Sequence, residues 1–258
     1  MRLKRGLKRT LLFVLAFLVD EYTNFSIRNY YRYFYQPGGG EYKRRSLVTF
    51  LNQASRFNQI TKKVINGEVY LFLGTKGEKF LDELIPLIKF EEKKWDKIWR
   101  ILIFDIPEKS RLVRDQLRKK IKDLGFARWQ KSVYVTPHPI TKEINEYLIN
   151  KNLYPRCVCF EAKKLGEEDD RELAYRIFRL KKIDEKYRSI LKKINYLKKN
   201  SRKITKSDLK KEIKDLVGEF EQTILKDPFL PKELLPKDWK RKEAKEELKK
   251  LLKFSFQL

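Results

Sequence analysis

Apolar residues in the first third of the chain recur every three to four positions and then alternate with polar ones. The helical spacing predicts three helices, over residues 8–22, 26–36 and 41–58. The alternating stretch, 60–77, predicts two short strands, and Asn66-Gly67 between them is a strong signal for a hairpin turn. Three helices followed by a β-hairpin are typical of a winged helix-turn-helix.

The third predicted helix, 41–58, has two chemically different faces when its residues are placed at about 100° each. The face predicted to meet the core carries Leu47, Phe50, Leu51 and Ala54. The opposite face carries Arg45, Thr49, Asn52 and Arg56. Arginine can bond guanine, asparagine can bond adenine and threonine can contact a thymine methyl group, so this face suits the major groove of double-stranded DNA. The alternative is an ordinary exposed polar face.

Strands and helices alternate in the middle of the chain. Strands are predicted over 98–106, 129–137 and 156–162, and helices over 110–124 and 141–152. The first of these helices is predicted to turn four residues inward and to end at Gly125: Leu112, Leu117, Ile121 and Leu124. This order predicts a compact ferredoxin-like β-α-β domain, with an open sheet face or edge available for pairing.

The last third of the chain is predicted to be helical. Helices are expected over 171–197, over 206–225 with Ser207 as the cap, and over 242–254. Prolines interrupt 227–239, which cannot form one continuous helix. The chain is therefore predicted to be α+β, with a winged helix-turn-helix domain over 1–92, a ferredoxin-like domain over 93–163 and a helical domain over 164–258.

The N-terminus imitates a signal peptide, because basic residues precede the apolar run 10–19. That run is too short to span a bilayer, and charge resumes at Asp20 and Glu21 without an obvious small-residue cleavage site. The segment is therefore predicted to be a buried first helix, and no membrane partner is expected. Only two cysteines and no clear export signal favour the cytoplasm.

The balance of charged residues indicates what kind of partner the chain binds. The chain has 61 Lys and Arg against 35 Asp and Glu, a formal net charge of +26. A field this positive suits a polyanion, and nucleic acid is the partner expected first. Lys62 and Lys63, beside the predicted hairpin, would contact DNA phosphates and add affinity without reading sequence. An anionic membrane surface or a general compositional bias is the alternative.

Few residues favour catalysis or metal binding. Cys157 and Cys159 lie two apart on a predicted strand, without the usual zinc spacing, and are expected to be buried as small hydrophobic side chains. The only histidine, His138, lies in a predicted loop between two prolines. No group of Ser, His and Asp or of Cys and His can be assembled convincingly, and no cofactor is predicted.

Asp105 ends the first central strand and has two interpretations. With Glu108 three residues later and Pro107 early in the helix, it fits a capping box. As a metal ligand it would need the carboxylate of a partner subunit, because two such groups at a two-fold axis could hold Mg²⁺. The cap is the favoured interpretation, since it needs neither a metal nor a partner.

Residues 99–137 and two later stretches, 169–178 and 227–239, resemble the PaaX-like transcriptional repressor family. The first stretch is similar to that family's central domain, and the other two are similar to its C-terminal domain. The resemblance implies a sequence-specific DNA-binding transcriptional regulator that acts as a homodimeric repressor. It also implies a small-molecule effector of the acyl-CoA type, although no residue of the sequence identifies one.

The central stretch also resembles the CRISPR-associated protein Cas-two. The matching residues are Asp105, Arg111, Arg114, Gly125 and the run Gln130-Lys131-Ser132-Val133-Tyr134. This resemblance implies a symmetric dimer and gives the alternative function, a Mg²⁺-dependent nuclease or CRISPR adaptation subunit that uses Asp105. A minimal nuclease of this type needs neither the winged helix nor the helical tail, so a regulator is the favoured function.

Overall fold

Helices make up most of the chain, and two small antiparallel sheets lie among them. The computed structural model describes residues 2–18, 26–34 and 44–257. The strands are β1 (Ile60–Ile65), β2 (Glu68–Leu73), β3 (Trp99–Phe104), β4 (Ala127–Gln130), β5 (Val133–Thr136) and β6 (Cys157–Ala162). The helices are α1 (Arg2–Phe13), α2 (Ile27–Phe34), α3 (Arg44–Arg56), α4 (Thr75–Leu84), α5 (Arg111–Asp123), α6 (Thr141–Asn150), α7 (Asp170–Ile177), α8 (Leu180–Asn200), α9 (Lys206–Ile224) and α10 (Arg241–Gln257). The prediction of an α+β chain is confirmed.

Three predicted helix ends, at residues 22, 36 and 41, lie outside the described residues. Within the described residues, no helix combines the length and the apolarity that crossing a membrane requires. The division of the chain into domains at 92 and 163 stays a prediction.

One compact unit comprises Met1–Leu84, Glu185–Lys226 and Lys240–Leu258. In its core the ring of Phe13 lies 4.7 Å from that of Phe17 and 6.1 Å from that of Phe220. The first helix is buried, as predicted, but α1 begins at Arg2 and continues as a π-helical turn over Val14–Leu18. The start of the chain is thus packed against α9, more than 200 residues later.

An ion pair with a buried carboxylate joins the same two elements. The Nε atom of Arg9 lies 2.5 Å from Oε1 of Glu221, whose side chain is almost fully buried. Burial raises the pKa of Glu221, and the charge of Arg9 acts against that rise. Because removal of one partner would leave a buried charge alone, this contact fixes α1 on α9.

The other compact unit comprises Ile85–Asp184 and Asp227–Trp239. Its sheet has the strand order β4-β5-β3-β6, and all neighbouring strands are antiparallel. The elements follow one another as β-α-β-β-α-β, which is the predicted ferredoxin-like arrangement. One apolar cluster of this unit includes Leu102, Phe104, Leu117, Ile121 and Ile144. A second includes Trp99, Ile101, Val135, Leu173 and Leu230.

Two elements predicted as continuous are each split in the structure. The strand predicted over 129–137 is two strands, β4 and β5, because Lys131 and Ser132 form a tight turn between them. The helix predicted over 171–197 is two helices, α7 and α8, separated at Arg179, whose φ is 53°. A residue with positive φ cannot continue a right-handed helix, so the prediction of one helix was wrong. The prediction of one strand was wrong because of the turn at Lys131-Ser132.

Two further predictions about single side chains were wrong. Leu112 was predicted to face inward but is 79% exposed. It lies five residues before the buried Leu117, which places it about 140° away around α5. The cap of α9 is Thr205 rather than Ser207, because the Thr205 hydroxyl accepts a hydrogen bond of 3.1 Å from the backbone N–H of Asp208.

The cysteines and the histidine are largely removed from solvent. Cys157 is fully buried, Cys159 is partly buried, and both belong to the cluster around Leu102. Burial raises the pKa of each thiol to about 11. Neither thiol is therefore ionised near neutral pH, which agrees with the prediction that they serve as small hydrophobic side chains. His138 lies in the loop after β5, also as predicted, and is buried there.

Candidate nucleic-acid interface

α3 owes its position to contacts with α2. The hydroxyl of Ser26 accepts a hydrogen bond of 3.2 Å from the backbone N–H of Asn29, so Ser26 caps α2. The hydroxyl of Tyr30, which is fully buried, donates a hydrogen bond of 3.1 Å to the backbone oxygen of Leu47. α3 is thereby held with one defined face against the core.

The two faces of α3 are those that the spacing predicts. Its buried residues are Leu47, Phe50, Leu51 and Ala54. Its exposed residues include Arg45, Thr49, Asn52 and Arg56. Thr49 is tied to its own helix, since its hydroxyl donates a hydrogen bond of 2.9 Å to the backbone oxygen of Arg45. The methyl group is therefore the part of Thr49 that remains for an apolar contact.

The β-hairpin stands beside this exposed face. β1 and β2 pair from Ile60–Leu73 to Ile65–Glu68, around Asn66 and Gly67, whose φ values are 50° and 77°. Positive φ at both turn residues is the type I′ geometry that this dipeptide favours. The ammonium group of Lys62 donates a hydrogen bond of 3.4 Å to the amide oxygen of Asn52, which links the hairpin to α3.

The hairpin is fixed relative to α3 by a close approach of backbones. Asn58, just after α3, has a φ of 51°, and its amide nitrogen donates a hydrogen bond of 3.0 Å to the hydroxyl of Thr75. A Cβ atom on Gly74, just after β2, would lie 2.4 Å from the backbone oxygen of Asn58. Only glycine fits there, so the ends of α3 and of the hairpin meet in one arrangement.

This surface is positively charged. Its exposed cations are Arg44, Arg45, Arg56, Lys62 and Lys63. None of the five has a carboxylate partner among the residues that the structure describes. We call the surface formed by Arg45, Thr49, Asn52, Arg56, Lys62 and Lys63 the α3–hairpin surface. It combines uncompensated positive charge with side chains that can form hydrogen bonds to bases.

Asp105 is not a helix cap, so that prediction was wrong. β3 ends at Phe104, the next helical turn has Pro107 at its N-cap position, and α5 has Ser110 there. Asp105 is exposed, and its backbone N–H donates a hydrogen bond of 2.9 Å to the backbone oxygen of Arg156. Within the described part of the chain, no three His, Cys, Asp or Glu side chains are grouped so that they could hold a metal ion.

Sequence reasoning missed two sets of residues. Val48 lies on the same face of α3 as Arg45 and Asn52 and is 38% exposed, which its spacing from both could have shown. Val64, near the tip of the hairpin, is 72% exposed. A second set, around Trp129, lines a cleft between segments that are about 50 residues apart in the chain. No local sequence pattern predicts this cleft.

Comparison with known proteins gives two family matches and a shared fold with solved structures. Residues 92–174 match the model of the PaaX protein central Cas2-like domain, and residues 178–255 match that of the PaaX-like protein C-terminal domain. No curated protein matches the chain. The solved structure of the uncharacterized protein Rv0674 from Mycobacterium tuberculosis is 16% identical in sequence with a TM-score of 0.58, and the match covers 97% of this chain and 98% of that one. At this identity the match shows a shared fold.

Proposed function

The chain belongs to the PaaX-like family, and on that basis we propose that it is a sequence-specific DNA-binding transcriptional regulator, a dimeric repressor. Transcriptional regulation is consistent with both matched domains. In this proposal the N-terminal helices and the hairpin act as a winged helix-turn-helix. A small-molecule effector of the acyl-CoA type stays a prediction from the family resemblance.

The observation that carries the proposal is the α3–hairpin surface. From Arg45 to Arg56 the exposed side chains extend about 16 Å along α3, which is comparable to the width of a major groove. Arg45 and Asn52 would read bases, while Lys62 and Lys63 would hold phosphates. This division matches that of helix-turn-helix proteins, in which one helix reads the groove and its neighbours contact the backbone.

An apolar strip on the central sheet supports a dimer. Ile103 of β3 pairs with Val158 of β6, and Phe160 lies two residues further along β6. These three side chains are 41–43% exposed, although all of them are large and apolar. A second copy that covers this strip would remove it from water, and a dimer would carry two α3 helices, one for each half-site of an operator.

Selection of DNA from a random pool tests base reading. We expect the wild type to enrich one sequence, and Asn52→Ala to bind that sequence about 10-fold more weakly or worse and to lose preference at one position. Lys63→Ala should instead weaken binding about equally for all sequences, because it removes a phosphate contact.

Arg111→Ala is the matched control, since Arg111 is 89% exposed in the other unit and its loss removes the same charge. This variant should select the wild-type sequence with little loss of affinity. A pool that shows no enrichment, or an Asn52→Ala protein that keeps both the sequence and its affinity, would refute the proposal.

A Mg²⁺-dependent nuclease is the second candidate, and the exposure of Asp105 favours it. Asp105 lies free of any capping role at the end of β3, in the domain that matches the Cas2-like model. Paired with its copy across a dimer axis, it could bind Mg²⁺. Cleavage of DNA or RNA that requires Mg²⁺ and disappears in Asp105→Ala would establish this activity. A wild-type protein that binds duplex DNA and never cuts it would exclude it.

A further inference from the structure

A cleft opens between β4 and the end of α7, within the unit that contains the four-stranded sheet. Its volume is about 350 Å³, within the range of small-molecule sites. It is lined by Arg128, Trp129, Arg176, Ile177 and Arg179. Three of these five side chains are guanidinium groups, and the other two are apolar. This composition differs from that of an ordinary solvated surface, because the three cations converge on one concavity.

A β-bulge brings two of the lining residues together. Side chains of consecutive residues point to opposite faces of a regular strand, yet Arg128 and Trp129 line the same cleft. The register between β4 and β5 shifts at this point, between Arg128 and Gln130. Bulges re-direct side chains and are frequent beside binding sites. The half-buried Trp129 and the exposed Arg128 therefore both contribute to the wall of the cleft.

The opposite wall is formed by the end of α7. Arg179 follows that end with a φ of 53°, a conformation in which glycine is the usual residue. The left-handed backbone costs an L-residue free energy, and here the chain keeps an arginine whose side chain lines the cleft. Arg179 thus follows the end of α7 and at the same time contributes a cation to the cleft.

The positive charge of the cleft is only partly neutralised. Arg176 forms a two-point ion pair with Glu168, at 2.5 Å from Nη2 and 3.3 Å from Nε. Arg128 and Arg179 have no carboxylate partner among the described residues. Two guanidinium groups are thus available for an anion, and their planar donor arrangement matches the oxygens of a phosphate.

We propose that this cleft binds a small phosphorylated molecule that carries a planar ring, such as a nucleoside diphosphate. Arg128 and Arg179 hold the phosphates, and Trp129 with Ile177 contacts the ring. A duplex backbone is the less suitable occupant, because it is convex and offers no ring to Trp129. The proposal does not depend on the α3–hairpin surface, which lies in the other compact unit.

Calorimetric titration of the full chain tests the proposal with three probes. ADP should bind, inorganic pyrophosphate should bind more weakly, and adenosine, which lacks phosphate, should not bind detectably. Trp129→Phe should weaken the binding of ADP more than that of pyrophosphate, because it alters the contact with the ring. Equal affinities for ADP and pyrophosphate would overturn the role assigned to the ring, and absence of binding by both would overturn the site.

Variants of the cleft locate the binding. Arg128→Ala and Arg179→Ala should each weaken ADP binding by about 10- to 100-fold, as expected for a lost hydrogen bond between charged groups. Arg111→Ala removes an equal charge outside the cleft and should change the affinity less than about 2-fold. Equal weakening by all three would show general attraction and overturn the proposal. So would cleft variants that weaken binding of duplex DNA while ADP is not bound, because the cleft would then be a DNA contact.

Discussion

His138 is the only histidine of the chain, and burial decides its protonation. Burial lowers its pKa to about 4; the hydrogen bond to the backbone oxygen of Pro228 acts against this, and the charges of Lys89 and Arg100 add to it. The ring therefore stays neutral and donates its Nε2 proton to that oxygen, 2.9 Å away. One face of the imidazole ring is stacked on the ring of Phe90, with centroids 4.3 Å apart.

This histidine should make stability depend on pH. The pKa is about 6.5 in the unfolded chain and about 4 in the folded one, so the unfolded state binds more protons between these values. The contribution of neutral His138 to the free energy of unfolding is complete above pH 6.5. It is lost as the pH falls towards 4, and the total loss is about 3 kcal/mol. Urea unfolding at several pH values would measure this dependence of the free energy of unfolding on pH.

The variant His138→Gln is the control, because it cannot take up a proton in this range. The difference between the two proteins should shrink steadily as the pH falls below 6.5. If both proteins lose stability in parallel, acidic side chains are responsible instead of His138.

Single-residue predictions succeeded where helical spacing alone decides exposure. The exposed positions of Arg45 and Asn52 follow from the 100° step of α3. Asp105 was assigned wrongly because a D-x-x-E spacing does not say where the helix begins, and here the chain first makes a turn after Pro107. The cleft arginines were missed because their meeting depends on tertiary packing.

At the scale of elements, three glycines should respond differently to substitution by alanine. Gly125 has a φ of +79°, and an added Cβ atom would lie 2.7 Å from His138 and 2.9 Å from Leu87, so Gly125→Ala should destabilise the fold by about 2–5 kcal/mol. Gly166 has a φ of +97° but open space around it, so its cost should be about 1–2 kcal/mol.

Substitution of Gly218 by alanine should change stability in the opposite direction. It lies inside α9 with open space where a Cβ atom would go, so Gly218→Ala should stabilise the fold by about 0.5–1 kcal/mol. Thermal unfolding of the three variants would rank them by stability. A Gly125→Ala protein as stable as Gly166→Ala would show that the crowding around His138 relaxes without cost.

Element boundaries were harder to predict than the elements themselves. The hairpin was predicted correctly because Asn66-Gly67 has a specific turn geometry. The turn at Lys131-Ser132 contains neither glycine nor proline, so β4 and β5 were merged. Arg179 likewise ends α7 in a position where glycine would have been the signal.

At the scale of the whole molecule, the net charge of +26 should make DNA binding depend strongly on salt. If roughly six to ten phosphates are neutralised, affinity should fall by about 10³- to 10⁵-fold between 50 and 200 mM salt. Fluorescence anisotropy of a labelled duplex would measure the slope. A nearly flat dependence would mean that the lysines and arginines do not contact the backbone.

The apolar strip on β3 and β6 gives a prediction about assembly. If it forms the proposed dimer interface, Phe160→Glu should convert a dimer into a monomer in sedimentation experiments, because the charge would be buried. Ile149→Glu is the control, since Ile149 is also an exposed apolar residue, on α6. If the wild type is a monomer, or if Phe160→Glu remains a dimer, the strip is not the dimer interface.

The two compact units could not have been predicted from the order of the elements. Each contains segments that are distant in the chain, as the contact between Phe13 and Phe220 and the ion pair of Arg9 with Glu221 show. Hydrophobic spacing identifies the face of a helix that will be buried, but not the partner that covers it. Both partners here are ordinary amphipathic helices.

The hydrogen bond between Lys62 and Asn52 bears on how faithfully the proposed regulator could recognise its operator. In the free protein the lysine occupies the amide oxygen that an adenine would need. If Asn52 reads an adenine as proposed, the ammonium group of Lys62 would have to leave the amide oxygen before the adenine amino group could donate to it. A base without a donor at that position would leave the hydrogen bond between Lys62 and Asn52 intact, so the proposed regulator would be expected to tolerate a mismatch there better than at a position without such an internal partner.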